Sequence, residues 1–374
     1  MSRLEKLLSL QVSKGHEWLG SDLVQGDPRS DGALELLMKQ GVPKASHLGV
    51  VNCGCGAWLS SMPQTNAVTA LHLFVEDHAS FVRNAERIKL ASLVHSGLAT
   101  TADLSALAKC DVVVFRIFRD MAANWIWIKA LLAAMPAESV LNIIGKKDDG
   151  IQSIETNLGK AQIDVDSVAV GCHSRWLAIA SNADGSRLPK QAADSCVAIQ
   201  TPIGEISLLI PEGTFAAGHL DAGTELLLNN MGDLQNKSVW DLGCGAGVIT
   251  CTALRARASR VFASDHSLLA VQTTQKNIEA DAARANASVH FLSDGVEGTF
   301  DVVLSNPPFH LEGREMRSMG SLWLAACLEH LAPNGEIRIV ANSFLPYATF
   351  AKDLKLKSEI IAETKGFKVW RMVR

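Results

Sequence analysis

Asn306-Pro307-Pro308-Phe309 closes an apolar run, "FDVVL" (Phe300 to Leu304), with residue types suited to one kind of chemistry. Neither proline has an N–H to donate, so the run cannot continue as an ordinary strand and the backbone behind it is stiff. The Asn306 side-chain oxygen and the Pro307 carbonyl offer two acceptors, and Phe309 offers a flat face. Together they would clamp a planar ring that carries a reactive amine. The plainer reading is a rigid loop, and the rest of the chain has to decide between the two.

A second group of residues lies upstream in "SVWDLGCGAGVIT" (Ser238 to Thr250). Apolar strand, glycine turn and helix-spaced "VITCTALRARA" form the start of a βαβ unit. Gly243 and Gly245 lack a Cβ, so the turn can be tight and a ligand can come close. The spacing is G-x-G-x-G, which differs from the G-x-G-x-x-G that cradles a pyrophosphate. Asp241, two residues before the first glycine, would repel a diphosphate and attract a cationic end such as an ammonium or sulfonium. A turn that only packs is the alternative.

These residues need elements to position them. "SRVFASD" predicts a strand ending at Asp265, where an acid can accept from ribose hydroxyls. Asp265 could instead cap the helix that "HSLLAVQTTQKNI" predicts. "SVHFLSD" reads as a third strand ending at Asp294, placed to accept from an adenine amine, and "FDVVLSNPPF" as the fourth. Four successive strands thus carry polar residues at their C-terminal ends, where open α/β sheets bind ligands. "GSLWLAACLEHLAPNGEIRIVAN" predicts a helix, a Pro-Asn-Gly turn and a strand. "KGFKVWRMVR" predicts a last strand, an antiparallel edge beside "EIRIVAN".

The first half of the chain carries the same plan. "HLGVVNCGCGAWLS" matches the glycine-turn segment, with Asn52 read opposite Asp241. "HLFVEDHASFV" matches the second-strand segment, with Asp77 opposite Asp265, and "CDVVVFRIF" matches the fourth, with Asp111 opposite Asp301. Near-constant spacing in the same order points to a duplication. The first copy has no acid at Asn52 and has Phe115-Arg116-Ile117-Phe118 in place of Ser305-Asn306-Pro307-Pro308, so it keeps the core without the chemistry. "SNADGSRLPKQAADS" (Ser181 to Ser195) reads as a linker. The expected division is residues 1–180, linker 181–195 and catalytic domain 196–374.

At 374 residues, 48% of them hydrophobic, the chain can bury more than one core. No apolar stretch reaches the ~20 residues of a membrane helix, and the start is too charged for a signal peptide. A cytoplasmic protein is expected. The eight cysteines form no C-x-x-C pair, so no metal site is expected, and most read as reduced core residues. The net charge of −4 gives no argument for nucleic acid. Only the tail, from Lys352 to Arg374, is locally basic, which suits either phosphates or a solvated surface.

The D-x-G-x-G-x-G turn, the acid after strand two and N-P-P-F resemble the class I S-adenosylmethionine-dependent methyltransferases. N-P-P-F-H, with the later "ANSFLPY" and "FKVWR", more narrowly resembles the bacterial ribosomal RNA guanine-N2 methyltransferases of the small-subunit (RsmC) type. That resemblance implies two tandem Rossmann-like α/β domains, each a mostly parallel seven-stranded sheet with helices on both faces, the first degenerate. It implies S-adenosyl-L-methionine as cofactor, held by Asp241, Gly243 and Gly245 at the methionine end. Asp265 with His266 would meet the ribose, and Asp294 with Gly295 the adenine. Phe215 and Gly218, in the segment "PEGTFAAGHLDAGTELLL", would close over the cofactor, with Asn306 near its methionine end. Asn306, Pro307 and Phe309 would be the catalytic clamp. The implied partner is ribosomal RNA in the small subunit, met by a monomer. Methylation of 23S rRNA, of DNA adenine or of a protein glutamine, and a non-catalytic RNA-binding role, are the alternatives.

Overall fold

The structure is a computed structural model that describes residues 9–13, 16–20, 31–61, 67–190, 195–210, 220–307 and 314–374. Contacts divide the chain into two compact units, with the break between Ala192 and Ala193.

The first unit opens with a hairpin, β1 (Ser9–Ser13) and β2 (His16–Gly20). Its sheet contains β3 (His47–Val51), β4 (Ala67–His72), β5 (Val94–Leu98), β6 (Val112–Arg116), β7 (Val140–Lys146), β8 (Asp166–Gly171) and β9 (Ser174–Ala180). The helices include α1 (Gly32–Gln40), α2 (Val75–Arg87), α3 (Met121–Ala134) and α4 (Ile151–Lys160). The strand order is β5-β4-β3-β6-β7-β9-β8, with β9 antiparallel to both neighbours.

The second unit repeats this. A hairpin, β10 (Ser195–Thr201) and β11 (Gly204–Ile210), precedes α5 (Ala222–Leu228). The sheet follows with β12 (Ser238–Leu242), β13 (Arg260–Asp265), β14 (Ala285–Val289), β15 (Phe300–Ser305), β16 (Leu331–Asn342), β17 (Lys357–Thr364) and β18 (Phe367–Val373). Between the strands lie α6 (Val248–Arg255), α7 (Leu268–Asn277), α8 (Arg314–Glu329) and α9 (Tyr347–Asp353). The order β14-β13-β12-β15-β16-β18-β17 reproduces that of the first unit. The central strands are apolar runs buried on both faces, as a parallel sheet covered by helices requires.

The repeat extends to single polar contacts. In the first unit, Asn84 on α2 accepts from Leu19 N–H (2.7 Å) and donates to the carbonyls of Leu19 and Cys55 (2.8 Å each). In the second, Asn277 on α7 accepts from Leu209 N–H (2.8 Å) and donates to the carbonyls of Leu209 and Ala246 (2.9 Å each). One asparagine therefore ties the hairpin to the glycine turn in each unit. Neither hairpin was expected from the sequence.

The structure corrects the register of the repeat. Asp111 accepts from Ser46 and His47 N–H, and Asp301 accepts from Ser238 N–H, so those two acids do correspond. Three residues further on, Val114 faces Val50 and Leu304 faces Asp241. The counterpart of Asp241 is therefore Val50, and Asn52 is not. Asn52 N–H donates to Leu71 as Gly243 N–H donates to Ser264, and both residues have positive φ (57° and 82°). Asn52 thus takes the first glycine position, where its short polar side chain tolerates the left-handed backbone. Likewise β4 ends at His72 where β13 ends at Asp265, and Asp77 lies inside α2.

Three smaller expectations also change. The third strand ends at Val289, and Asp294 sits in the turn after it. Pro333-Asn334-Gly335 lies inside β16 as a register shift against β15. β18 pairs antiparallel with β16 as expected, but β17 is the edge. Of the stretch read as a linker, Leu188 is buried against the first core and Ser181 Oγ donates to the Pro136 carbonyl (2.6 Å). Part of the basic tail is paired: Lys368 with Glu363 (3.5 Å), and Arg371 with Glu336 (2.5 Å) and Glu359 (2.8 Å).

Candidate active site

β12, β13, β14 and β15 are neighbours in one parallel sheet, so their C-terminal ends share one edge. Asp241, Gly243 and Gly245 stand at the end of β12 and in its turn. Asp265 ends β13 and His266 follows it, Asp294 and Gly295 follow β14, and Asn306 and Pro307 follow β15. The loops are laced together along this edge. Gly243 and Cys244 N–H donate to the Ser264 carbonyl (2.8 and 3.0 Å), and His290 N–H donates to the Asp265 carbonyl (2.9 Å). A ring nitrogen of His290 then meets the Asp294 carbonyl (2.8 Å). Phe215, Gly218 and Phe309 lie outside the described residues.

Asp241 is wholly buried. Its Oδ2 accepts from Thr250 Oγ1 (2.6 Å), while Oδ1 has no partner among the described residues. Burial pushes this carboxyl up to about 7, against the hydrogen bonds from Thr250, with Asp265 adding repulsion. A buried orphan acceptor of this kind has a use for a cationic donor. The turn beside it fits a ligand too. Gly245 has φ +54° and no described residue within 4 Å of where a Cβ would stand, whereas a Cβ on Gly243 would come within 3.0 Å of Trp323. These features suit the charged methionine end of S-adenosylmethionine.

Asp265 is fixed as an acceptor. Its Oδ2 takes Gly245 N–H (3.0 Å) and its Oδ1 takes Ser267 N–H (2.9 Å). The cap of α7 is Ser267, so Asp265 is not spent on that helix. Each carboxylate oxygen keeps a further lone pair for a hydroxyl donor.

Asn306 is oriented by α5. Its Nδ2 donates to Thr224 Oγ1 (2.8 Å) and Asp221 Oδ2 (3.2 Å). Beneath it, Ser305 Oγ donates to the Leu242 carbonyl (2.6 Å) and accepts from Trp323 Nε1 (2.8 Å). The end of β15 is thus pinned to the end of β12. Asp221, Thr224, Ser305 and Trp323 were not singled out as functional in the sequence. Only the Asp-x-x-Thr start of "DAGTELLL" carries a local signal, and that signal is a helix cap.

The first unit fills the corresponding place with charge. Arg116, at the Asn306 position, meets Asp31, the cap of α1, at 2.5 Å and Asp149 at 3.5 Å. Asn52 Nδ2 donates to the Arg116 carbonyl (2.8 Å) and closes the turn onto this strand.

Residues 205–371 match the family described as the methyltransferase small domain. Ribosomal RNA small subunit methyltransferase C of Erwinia tasmaniensis is 28% identical over 292 residues, covering 76% of this chain and 81% of the relative. The protein of that name from Hahella chejuensis is 30% identical over 236 residues, covering 62% of this chain and 68% of the relative. The chain belongs to the ribosomal RNA small subunit methyltransferase C family. A solved structure, the T. thermophilus 16S rRNA N2 G1207 methyltransferase (RsmC) in complex with AdoMet and guanosine, matches its fold. The TM-score is 0.81 at 22% identity over 98% of each chain. Two seven-stranded Rossmann-like sheets are therefore the family's plan as well as this chain's. Among the described residues no helix is long and apolar enough to cross a membrane.

Proposed function

We propose that this chain transfers a methyl group from S-adenosylmethionine to the exocyclic N2 amine of a guanine in 16S ribosomal RNA. The Asn306 amide carries the reading. Its nitrogen is turned back onto Asp221 and Thr224, which leaves Oδ1 as the acceptor to be presented to an incoming amine. When bound, S-adenosylmethionine supplies an electrophilic methyl group on sulfonium. Asp241 with the Gly243–Gly245 turn holds the methionine end, Asp265 with His266 the ribose, and Asp294 with Gly295 the adenine. Phe215 and Gly218 belong to the same binding segment as α5.

The exocyclic amine of guanine is a weak nucleophile because its lone pair is delocalised into the ring. Asn306 Oδ1 and the Pro307 carbonyl each accept one of its hydrogens. The nitrogen can then rehybridise and aim its lone pair at the methyl group. Phe309 stacks on the base. Positioning of this kind is worth several kcal/mol, with about 7–11 as the upper range. A paired guanine must first leave its stack, at about a few kcal/mol.

The substrate we favour is the rRNA within the small subunit, met in the cytoplasm by a single chain. Labelled cofactor offered with deproteinised rRNA, 30S and 50S subunits, followed by product mapping, tests this. Methyl-guanine mapped to 16S rRNA supports it; label confined to 23S rRNA, or none at all, refutes it.

One chain is expected to bind one cofactor, because the first unit has Val50 for the buried acid and Arg116 for the amide. Calorimetry on the full chain checks this, and a stoichiometry of two refutes it.

Cofactor affinity is also expected to depend on pH. Without ligand, Asp241 takes up a proton near neutrality. Pairing with an ammonium favours its carboxylate, so binding near pH 6 releases up to about one proton and affinity rises with pH until roughly pH 7–8. Calorimetry in buffers of differing ionisation enthalpy measures the release, which Asp241→Asn abolishes. The linkage to folding has the opposite sense. The folded value lies above the unfolded one, so the stability contributed by Asp241 is full in acid and is lost as pH rises through about 7.

A further inference from the structure

We infer that Asp221 and Thr224 are positioning residues for methyl transfer: they hold the Asn306 amide the one way round that presents an acceptor to the guanine amine. The inference rests on the clamp reading above and goes beyond it, because an asparagine at the end of a strand is ambiguous by itself. Rotation by half a turn exchanges its oxygen for an NH2 group and would put donors against a donor.

The surroundings remove that ambiguity. A carboxylate can only accept, and Asp221 Oδ2 lies 3.2 Å from Asn306 Nδ2. The Thr224 hydroxyl has one proton, which it donates to Asp221 Oδ2. Its oxygen is therefore left to accept from Asn306 Nδ2 at 2.8 Å. Both partners demand the nitrogen, so the oxygen faces the other way. The pair is itself rigid. Asp221 Oδ1 accepts from Gly223 and Thr224 N–H (2.8 and 3.1 Å), capping α5. A Cβ on Gly223 would stand 3.2 Å from Phe367, so the helix start is packed against the last hairpin.

The first unit shows which part of this is only structural. Asp31 caps α1 in the same way, through Ala33 and Leu34 N–H. There its second oxygen meets the Arg116 guanidinium, and no amide is held. Capping by this aspartate therefore persists without the clamp, and orientation of an amide is the function peculiar to the second unit.

Asp221→Asn separates the two roles. Asparagine caps a helix as well as aspartate, and with its oxygen kept at the cap its NH2 replaces Oδ2. A donor then faces the donor of Asn306 and drives the amide to turn over. In the full-length chain on small subunits, single-turnover rate should fall roughly 10²-fold, the scale of losing one positioned polar group at a reacting centre. Cofactor affinity and melting temperature should stay near wild type. Thr224→Val should lose about tenfold, and Thr224→Ser, which keeps the hydroxyl, should recover most of that loss. Asp221→Asn reacting at the wild-type rate overturns the inference, as does a fall in cofactor affinity that matches the fall in rate. Asn306→Ala is run alongside. If it too reacts at the wild-type rate, the clamp itself is wrong; if it is slow while Asp221→Asn is fast, only the positioning role fails.

Discussion

Asn306→Ala lowers turnover by roughly 10²–10³, about 2.7–4 kcal/mol, the range for removing one positioned group from a developing charge. The loss falls on the chemical step because the oxygen is needed most as the amine rehybridises. The side chain is removed from a site that stays pinned from below: Ser305 remains bonded to Leu242 and Trp323, so the strand end does not collapse. Asp241 and Asp265 are untouched, and cofactor affinity changes far less than rate. Single-turnover measurements on small subunits, with affinity measured separately, give the two numbers. A variant reacting at the wild-type rate would end the clamp mechanism, even with methyl transfer demonstrated.

The second large effect belongs to the first unit. Arg116→Ala destabilises the first unit by about 3–5 kcal/mol, the cost of breaking a buried ion pair from one side. Its side chain is 12% exposed, with Asp31 at 5% and Asp149 at 9%, so solvent screens the triad little. Burial works against the Arg116 charge, but the two carboxylates outweigh it and hold the guanidinium above its ordinary value. Without it the Asp31 and Asp149 carboxylates lose their shared cation. Urea unfolding followed by hydrogen exchange in the first unit measures the loss. Replacing all three groups together, as Asp31→Asn, Arg116→Met and Asp149→Asn, should cost much less, since no charge is then orphaned. A loss below about 1 kcal/mol for Arg116→Ala would mean that the triad behaves as a surface pair.

The sequence was most legible where chemistry and backbone constraint coincide. Asp241 ahead of two glycines, and Asn306 ahead of two prolines, both stand at strand ends on one edge of the second sheet. The duplication was legible as well, but its register slipped by two residues at Asn52 and by five at Asp77. Asn52 resembles the acid of the glycine motif, while only strand pairing reveals that Val50 faces Val114 as Asp241 faces Leu304. Pairing is a long-range property, and no local pattern encodes it. The same holds for Asp221, whose partner lies 85 residues away. β17 leaves no local signal because it is an edge strand with most side chains in water, so "KSEIIAET" has no buried alternation. The Pro-Asn-Gly segment looked like a turn because its residues are turn residues, and the sheet absorbs them as an irregularity in β16.

The Asp31–Arg116–Asp149 triad also bears on history. With an internal guanidinium at the position that holds an amide in the second unit, a single substitution does not turn one arrangement into the other. Arg116→Asn would give the first unit the side chain of Asn306 but strand the Asp149 and Asp31 carboxylates without their cation. The revertant would lose stability before any activity could reward it, and the missing acid at Val50 would keep it idle in any case. On the proposed division of labour the triad acts as a ratchet: any path that puts an amide at position 116 passes through a first unit whose two carboxylates have lost their cation.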